Sequence, residues 1–233
     1  KNSLKTRIIL MLVIFNLLVF GFFYWNSLVL QRMLVKDFEE EYIAQTSETV
    51  AECVKDAEKE AQILSNSLFA NSAMKEAFIR QDRAELLKLA LPVYQQWEKD
   101  HHLSGLNFFS AEGKAILRAQ KPEQYEDDVS YRKALAKAIQ TRQQVMATEK
   151  GALGFGIRCL TPVVVEDQLV GIYEVAISLE EAVGEALSEL QQGEYAILSL
   201  EQQQTGVLWQ SSALSINLEA ADLDKLAEGE SYS

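Results

Sequence analysis

Histidine occurs twice in the 233 residues, and the two stand side by side as His101-His102. Nucleophile-base arrangements therefore have almost no base to draw on, and a metal site has no further ligand at suitable spacing near that pair. G-x-x-x-x-G-K-S/T, H-E-x-x-H, G-x-S-x-G and G-x-G-x-x-G are all missing, so neither catalysis nor a cofactor is expected. Cysteine is equally scarce. Cys53 and Cys159 lie too far apart for a zinc or haem spacing and are too few for a disulfide framework; flanked by apolar or small residues, they read as buried free thiols, with a bond between them left to geometry.

Positive charge is also short: 22 basic against 34 acidic side chains give a formal −12. Such a balance argues against nucleic acid as a partner and against adsorption to anionic lipid. Proline and glycine are absent from Ser27 to Phe69, which leaves a helix free to run unbroken.

What is present begins with an apolar run from Ile8 to Trp25, without one ionisable side chain. At about 1.5 Å per residue it covers nearly the ~30 Å hydrocarbon core of a bilayer. It ends in Phe22, Phe23, Tyr24 and Trp25 rather than a small-residue cleavage site, and so reads as an uncleaved anchor with interfacial aromatics. Lys1, Lys5 and Arg7 precede it and Asp37, Glu39, Glu40 and Glu41 follow, which places the amino terminus in the cytoplasm and the remainder outside. The expected organisation is a cytoplasmic start (1–7), a transmembrane helix (8–25), a stalk and backing helix (26–70), a membrane-distal module (71–190) and the beginning of a membrane-proximal one (191–233).

Within the stalk, Leu30, Leu34, Phe38, Tyr42, Val50, Cys53, Ala57, Ala61, Leu64 and Leu68 recur at helical steps. A helix this long is expected to pair with a second copy of itself near the membrane and to lie along a sheet farther out. Asn71-Ser72 caps a short helix to Arg80, and Asp82 caps another that Pro92 should kink or restart. His101 and His102 at its end read as solvated.

The period then changes to two. Leu106–Phe109 and Lys114–Ala119 form a hairpin about Gly113; a helix from Tyr131 to Thr141 follows, with Ser130 as cap. Strands Gln144–Glu149, Phe155–Val165 and Gln168–Ser178 come next, the last two joined by Glu166-Asp167. The expected fold is α+β, an antiparallel sheet of about five strands with helices on one side, then an amphipathic helix Leu179–Leu190. Gln192-Gly193 opens a further hairpin, and Asp222–Glu228 reads as a polar helix.

Residues Leu117–Arg132 (LRAQKPEQYEDDVSYR), Gly151–Arg158 (GALGFGIR), Thr161-Pro162-Val163 and Val170-Gly171 resemble the double Cache family, whose PAS-like modules serve chemoreceptors, sensor histidine kinases and diguanylate cyclases. The chain departs from the family pattern at Gln120, where histidine is common, at Glu126, where glycine is common, and at Cys159, in place of glycine. The resemblance implies an extracytoplasmic sensor in the bacterial inner membrane, homodimeric, with a small-molecule pocket on the concave face of the sheet. It also implies a second span and a cytoplasmic output part beyond Ser233.

Alternation puts Arg158 and Glu174 on one face of neighbouring strands, a fork for a carboxylate beside a group that holds either the fork or a ligand amine. Arg118 supplies a second guanidinium, and Tyr125, Asp127, Asp128, Tyr131 and Arg132 form a possible lid. A carboxylate-bearing metabolite is favoured and an amino acid comes next. The competing reading is a membrane-tethered protein-interaction module with a closed cavity or none.

Overall fold

A computed structural model describes residues 4–151, 154–190, 195–201 and 204–210. The chain divides into two compact units, Lys1–Glu48 and Thr49–Ser233.

The first unit is the leading part of helix α1 (Leu4–Leu68). Its large apolar side chains from Ile8 to Trp25 are exposed, apart from half-covered Val19. The segment is long and apolar enough to cross a membrane. Its one amide, Asn16, donates to the Leu12 carbonyl at 2.9 Å, satisfying part of its polarity within the helix.

The second unit is α+β. Helices α2 (Ser72–Ile79) and α3 (Arg83–His101) lead into strands β1 (Leu103–Ser110) and β2 (Ala115–Arg118). Helix α4 (Lys133–Thr141), strands β3 (Val145–Gly151), β4 (Gly154–Val165) and β5 (Gln168–Ser178), and helix α5 (Leu179–Glu189) follow. The sheet is antiparallel throughout, in the order β2-β1-β5-β4-β3. Strand β5 is thus central, hydrogen-bonded to β1 and β4. Strands β6 (Ala196–Glu201) and β7 (Gln204–Gln210) pair separately. Gln192-Gly193, Ala152-Leu153 and the expected helix Asp222–Glu228 lie outside the described residues.

Alternation along the strands sorts side chains to two sides. One side carries Phe108, Ile157, Cys159, Tyr173 and Val175 and is closed by Ala57, Ala61, Leu64 and Leu68 of α1, with α2 and α3 beside them. Of the stripe predicted for the stalk, the distal end, Ala57 to Leu68, is therefore the part buried here, while Leu30, Leu34 and Phe38 are exposed. Phe78 and Phe108 meet at 5.5 Å between ring centroids and Phe69 and Tyr173 at 4.5 Å. The opposite side is covered only in part, by α4 with Phe109, Val145, Leu160 and Ile172, and it is there that a cavity remains.

Several local expectations need correction. Pro92 does not restart α3, which runs continuously through it; proline costs one intrahelical bond, and buried Leu86, Ala90 and Tyr94 hold the helix on either side. Helix α4 begins at Lys133 rather than Tyr131, and Ser130 is not its cap. Arg132 occupies the cap position without a side-chain bond, and Glu149 of β3 accepts the Ala134 N–H at 3.0 Å in its place. The histidines are half-exposed but partnered: His101 meets Glu60 of α1 at 2.6 Å and His102 meets Glu185 of α5 at 2.7 Å. Both cysteines are free thiols, Cys159 buried and Cys53 half-buried with its thiol donating to the Ala182 carbonyl. Asn71 and Asp82 cap α2 and α3 as expected, and Gly113 turns the first hairpin at φ 85°.

Candidate functional site

The open side of the sheet holds a cavity of about 370 Å³, within the range of small-ligand sites. Its floor is the central strand. Glu174 of β5 is fully buried and lies directly opposite Asn107 of β1 in the register. Arg158 of β4 stands opposite Ala176, one diagonal step away, and so reaches back to Glu174.

Those positions build one network. Glu174 Oε1 accepts from Asn107 Nδ2 at 2.7 Å and from Arg158 Nη1 at 2.9 Å, while Oε2 accepts from Arg132 Nη2 at 2.6 Å. Arg132 also donates to Glu149 Oε2, from Nε at 3.2 Å and Nη2 at 2.9 Å. Arg158 Nε reaches the Glu149 carbonyl at 3.4 Å. Gln120 donates to Asn107 Oδ1 at 2.8 Å and accepts the Leu106 N–H, so its place in the family pattern is filled by a residue that ties the loop to β1. Burial pushes the Glu174 carboxyl up, but the Arg158 and Arg132 charges outweigh it and hold the group below its usual range. Burial alone would lower Arg132; Glu174 and Glu149 hold it above its ordinary value.

Room for Arg158 comes from a glycine. A Cβ placed on Gly151 would collide with Arg158 Nη2, so the guanidinium lies where only glycine leaves space.

The mouth is formed by the loop after β2. Arg118 grips both oxygens of Asp127, at 2.6 and 2.7 Å, and also the Gln124 carbonyl at 2.8 Å. The hydrogen bond from Arg118 is the largest cause holding the Asp127 carboxyl below the usual carboxylate range. Glu126 in the same loop adopts φ 68°, the left-handed region that favours glycine, which gives a physical sense to the glycine common at this position in the family pattern. Tyr131 is strongly exposed at the rim.

Of the residues expected from sequence, Arg118, Tyr131, Arg132, Arg158 and Glu174 line this cavity together. Tyr125 and Asp128 are not among its walls. Tyr125 lies under the Arg83 guanidinium, 3.9 Å from its ring centroid, and Asp128 accepts the Ser130 N–H at 2.9 Å in a local turn. Asp127, read from sequence as part of the lid, lines the cavity too, as do Asn107, Gln120, Lys121 and Lys150, which were not singled out from sequence as ligand-facing. Asn107 was legible in principle, since two-residue alternation from Phe109 puts it on the same face; Lys121 and Lys150 carry no such signal. Among the described residues no group of three or more His, Cys, Asp or Glu is placed to hold a metal ion.

Residues 38–229 match the family model described as the double sensory domain of two-component sensor kinase. No curated protein matches the sequence. Among solved structures the chain is similar to the DcuS sensor domain of E. coli, at 13% identity over 59% of this chain and 98% of that one, with a TM-score of 0.48. It is similar to the sensor domain of the histidine kinase DctB of V. cholerae, at 13% identity over 81% and 77%, with a TM-score of 0.46. An extracellular ligand-binding receptor of Desulfohalobium retbaense is 15% identical over 75% of this chain, which spans only 33% of that receptor, with a TM-score of 0.44.

Proposed function

This chain belongs to the double Cache family of sensory domains, those of two-component sensor kinases, and from that premise we propose that its cavity binds a small carboxylate-bearing molecule outside the membrane. The observation that carries the reading is a reversal of charge. The whole chain has a formal −12, yet among the described residues five cationic side chains line the cavity (Arg118, Lys121, Arg132, Lys150 and Arg158) against two carboxylates (Asp127 and Glu174), a balance of +3. A concave, partly dry wall of one sign concentrates ligands of the other.

The ligand-facing residues in this reading are Arg118, Tyr131, Arg132 and Arg158, with Glu174 setting the posture of two of them. Tyr125 and Asp128, proposed from sequence as part of a lid, would act by holding the loop that bears Arg118 and Tyr131. The carboxylate sits on Arg158 Nη2, the guanidinium nitrogen not taken by Glu174 or the Glu149 carbonyl, and either a plain acid or an amino acid satisfies that contact. Binding then biases two arrangements of the α1 helix, paired with a second copy, and the bias crosses the bilayer through residues 8–25 with the amino terminus inside. A coupling of about 1–3 kcal/mol suffices to change output several-fold. A protein-recognition module calls for a closed or absent cavity, and the open one favours a small molecule instead.

The test is thermal unfolding of the full chain in nanodiscs against organic acids, amino acids, amines and inorganic anions. A ligand at 100 times its dissociation constant adds about 2.7 kcal/mol to the folded state. A midpoint shift confined to carboxylates is the expected result; a shift from amines alone, or none in a folded protein, removes the reading.

A further inference from the structure

We infer that the cavity discriminates against the ammonium group, taking small carboxylates that carry no amine and refusing the amino acid of the same carbon skeleton. The inference rests on the carboxylate reading above and narrows it.

A zwitterion needs two kinds of partner. Its carboxylate takes donors, but its ammonium has only donors of its own and must find acceptors, best of all a carboxylate. Two carboxylates line the cavity, and both are already paired with arginine. Glu174 is 0% exposed and both its oxygens are engaged, Oε1 by Asn107 and Arg158 and Oε2 by Arg132. Asp127 is exposed, yet Arg118 holds both of its oxygens in a bidentate fork. An ammonium brought to Asp127 would lie against that guanidinium, a like charge at close range. Glu149 stands behind Arg132, one oxygen taken by that side chain and the other by the Ala134 N–H.

The uncommitted groups are of the opposite kind. Arg158 Nη2 and Lys121 Nζ have no hydrogen-bond partner among the described residues, so the wall offers unpaired cationic donors, while each of its carboxylates is already paired with arginine. A carboxylate entering this space gains charge-assisted hydrogen bonds. An ammonium entering beside it leaves water for a wall of formal balance +3 with no free carboxylate. Selection against the amine is thus built from four arginine-carboxylate pairs that look, one at a time, like ordinary structural ion pairs.

The experiment is calorimetric titration of the full chain in nanodiscs with matched acids: succinate and L-aspartate, glutarate and L-glutamate, propanoate and L-alanine, 4-methylpentanoate and L-leucine. In every pair that binds, the amine-free member is expected to bind at least tenfold more tightly. An amino acid that equals or beats its partner overturns the discrimination while leaving the carboxylate reading standing. Absence of binding by all eight removes the carboxylate reading and this inference with it. Two variants test the cause: Arg118→Gln frees Asp127, and Gln124→Glu adds an unpaired carboxylate to the wall. Each is expected to reduce the ratio at least threefold; an unchanged ratio in both, with unfolding midpoints near the parent's, overturns the assignment to saturated carboxylates.

Discussion

Arg158 and Glu174 meet at 2.9 Å across neighbouring strands, with the carboxylate wholly buried and the guanidinium half committed to it and half to the cavity. The pair is therefore a structural element and a ligand element at once. A buried carboxylate is costly to strip of its partners, and two arginines brought together around it are costly to leave without their anion. Glu174→Ala removes the anion and leaves Arg132 and Arg158 facing each other. Breaking a buried pair costs about 3–5 kcal/mol, so the unfolding midpoint of the full chain is expected to fall on the order of 10 °C. Glu174→Gln keeps the shape, and added carboxylate should restore part of its loss. A midpoint within about 2 °C of the parent for Glu174→Ala, worth about 1 kcal/mol or less in a domain of this size, would show that the network contributes little.

Acid should unfold the domain through the same groups. Glu174 and Asp127 both titrate below their ordinary range when folded. The folded state therefore binds fewer protons than the unfolded one in that window, and the stability these groups contribute is fully present above the unfolded carboxylate value of about 4. It is lost as pH falls through the lower folded values. Thermal midpoints measured from neutral pH downward should stay level and then drop below about pH 4, and Glu174→Gln should flatten the drop. A midpoint that rises on acidification contradicts the sign.

Gly151→Ala tests the space left for Arg158. The new Cβ collides with Nη2, the far end of a side chain whose Nη1 remains tied to Glu174, so the guanidinium turns and its ligand-facing nitrogen is displaced. Folding is expected to survive and carboxylate affinity to fall by about tenfold or more, the worth of one charge-assisted hydrogen bond. Affinity within twofold of the parent would mean that Nη2 does not meet the ligand.

Lys121 gives a gentler test. Its ammonium lines the cavity without a hydrogen-bond partner among the described residues, so Lys121→Ala removes charge without breaking a structural contact. An exposed charge contact is worth about 0.2–1 kcal/mol, hence an affinity loss of roughly 1.5- to 5-fold that shrinks at high salt. A loss that is independent of salt would point to shape rather than charge.

The strands and their faces were readable because period-two alternation and tight turns are local signals: β5 occupies Gln168–Ser178 as expected, and Arg158 and Glu174 share the face assigned to them. The walls that come from distant parts of the chain were not readable in the same way. Glu149 caps α4 from another strand, which moved the helix start to Lys133 and released Arg132 for Glu174, and no capping signal near Ser130 carries that information. Tyr125 looked like a lid residue by its loop and chemistry, but Arg83 of α3 claims its ring. Pro92 follows the same logic: buried neighbours on both sides outweighed a local breaker.

A last prediction concerns how the cavity reaches the stalk helix. Strand alternation means that each residue in the floor has a neighbour aimed at the other side of the sheet. Next to Glu174, Tyr173 donates its hydroxyl to the Ser65 carbonyl of α1 at 3.0 Å; three residues from Arg158, Thr161 meets the Ser65 hydroxyl at 2.7 Å. Cys159, between them, is buried against the same hydroxyls, and burial pushes its thiol up. Ser65 thus touches both floor strands from behind, and any shift of β4 against β5 on binding must strain or relax it. Tyr173→Phe combined with Ser65→Ala should cost about 2 kcal/mol by the usual worth of two hydrogen bonds, leaving the cavity walls in place. Amide exchange over Glu58–Leu68 is expected to change on carboxylate binding in the parent and to respond far less in the double variant, at equal occupancy. An undiminished response would mean that coupling runs through the apolar contacts of Ala57, Ala61 and Leu64 instead.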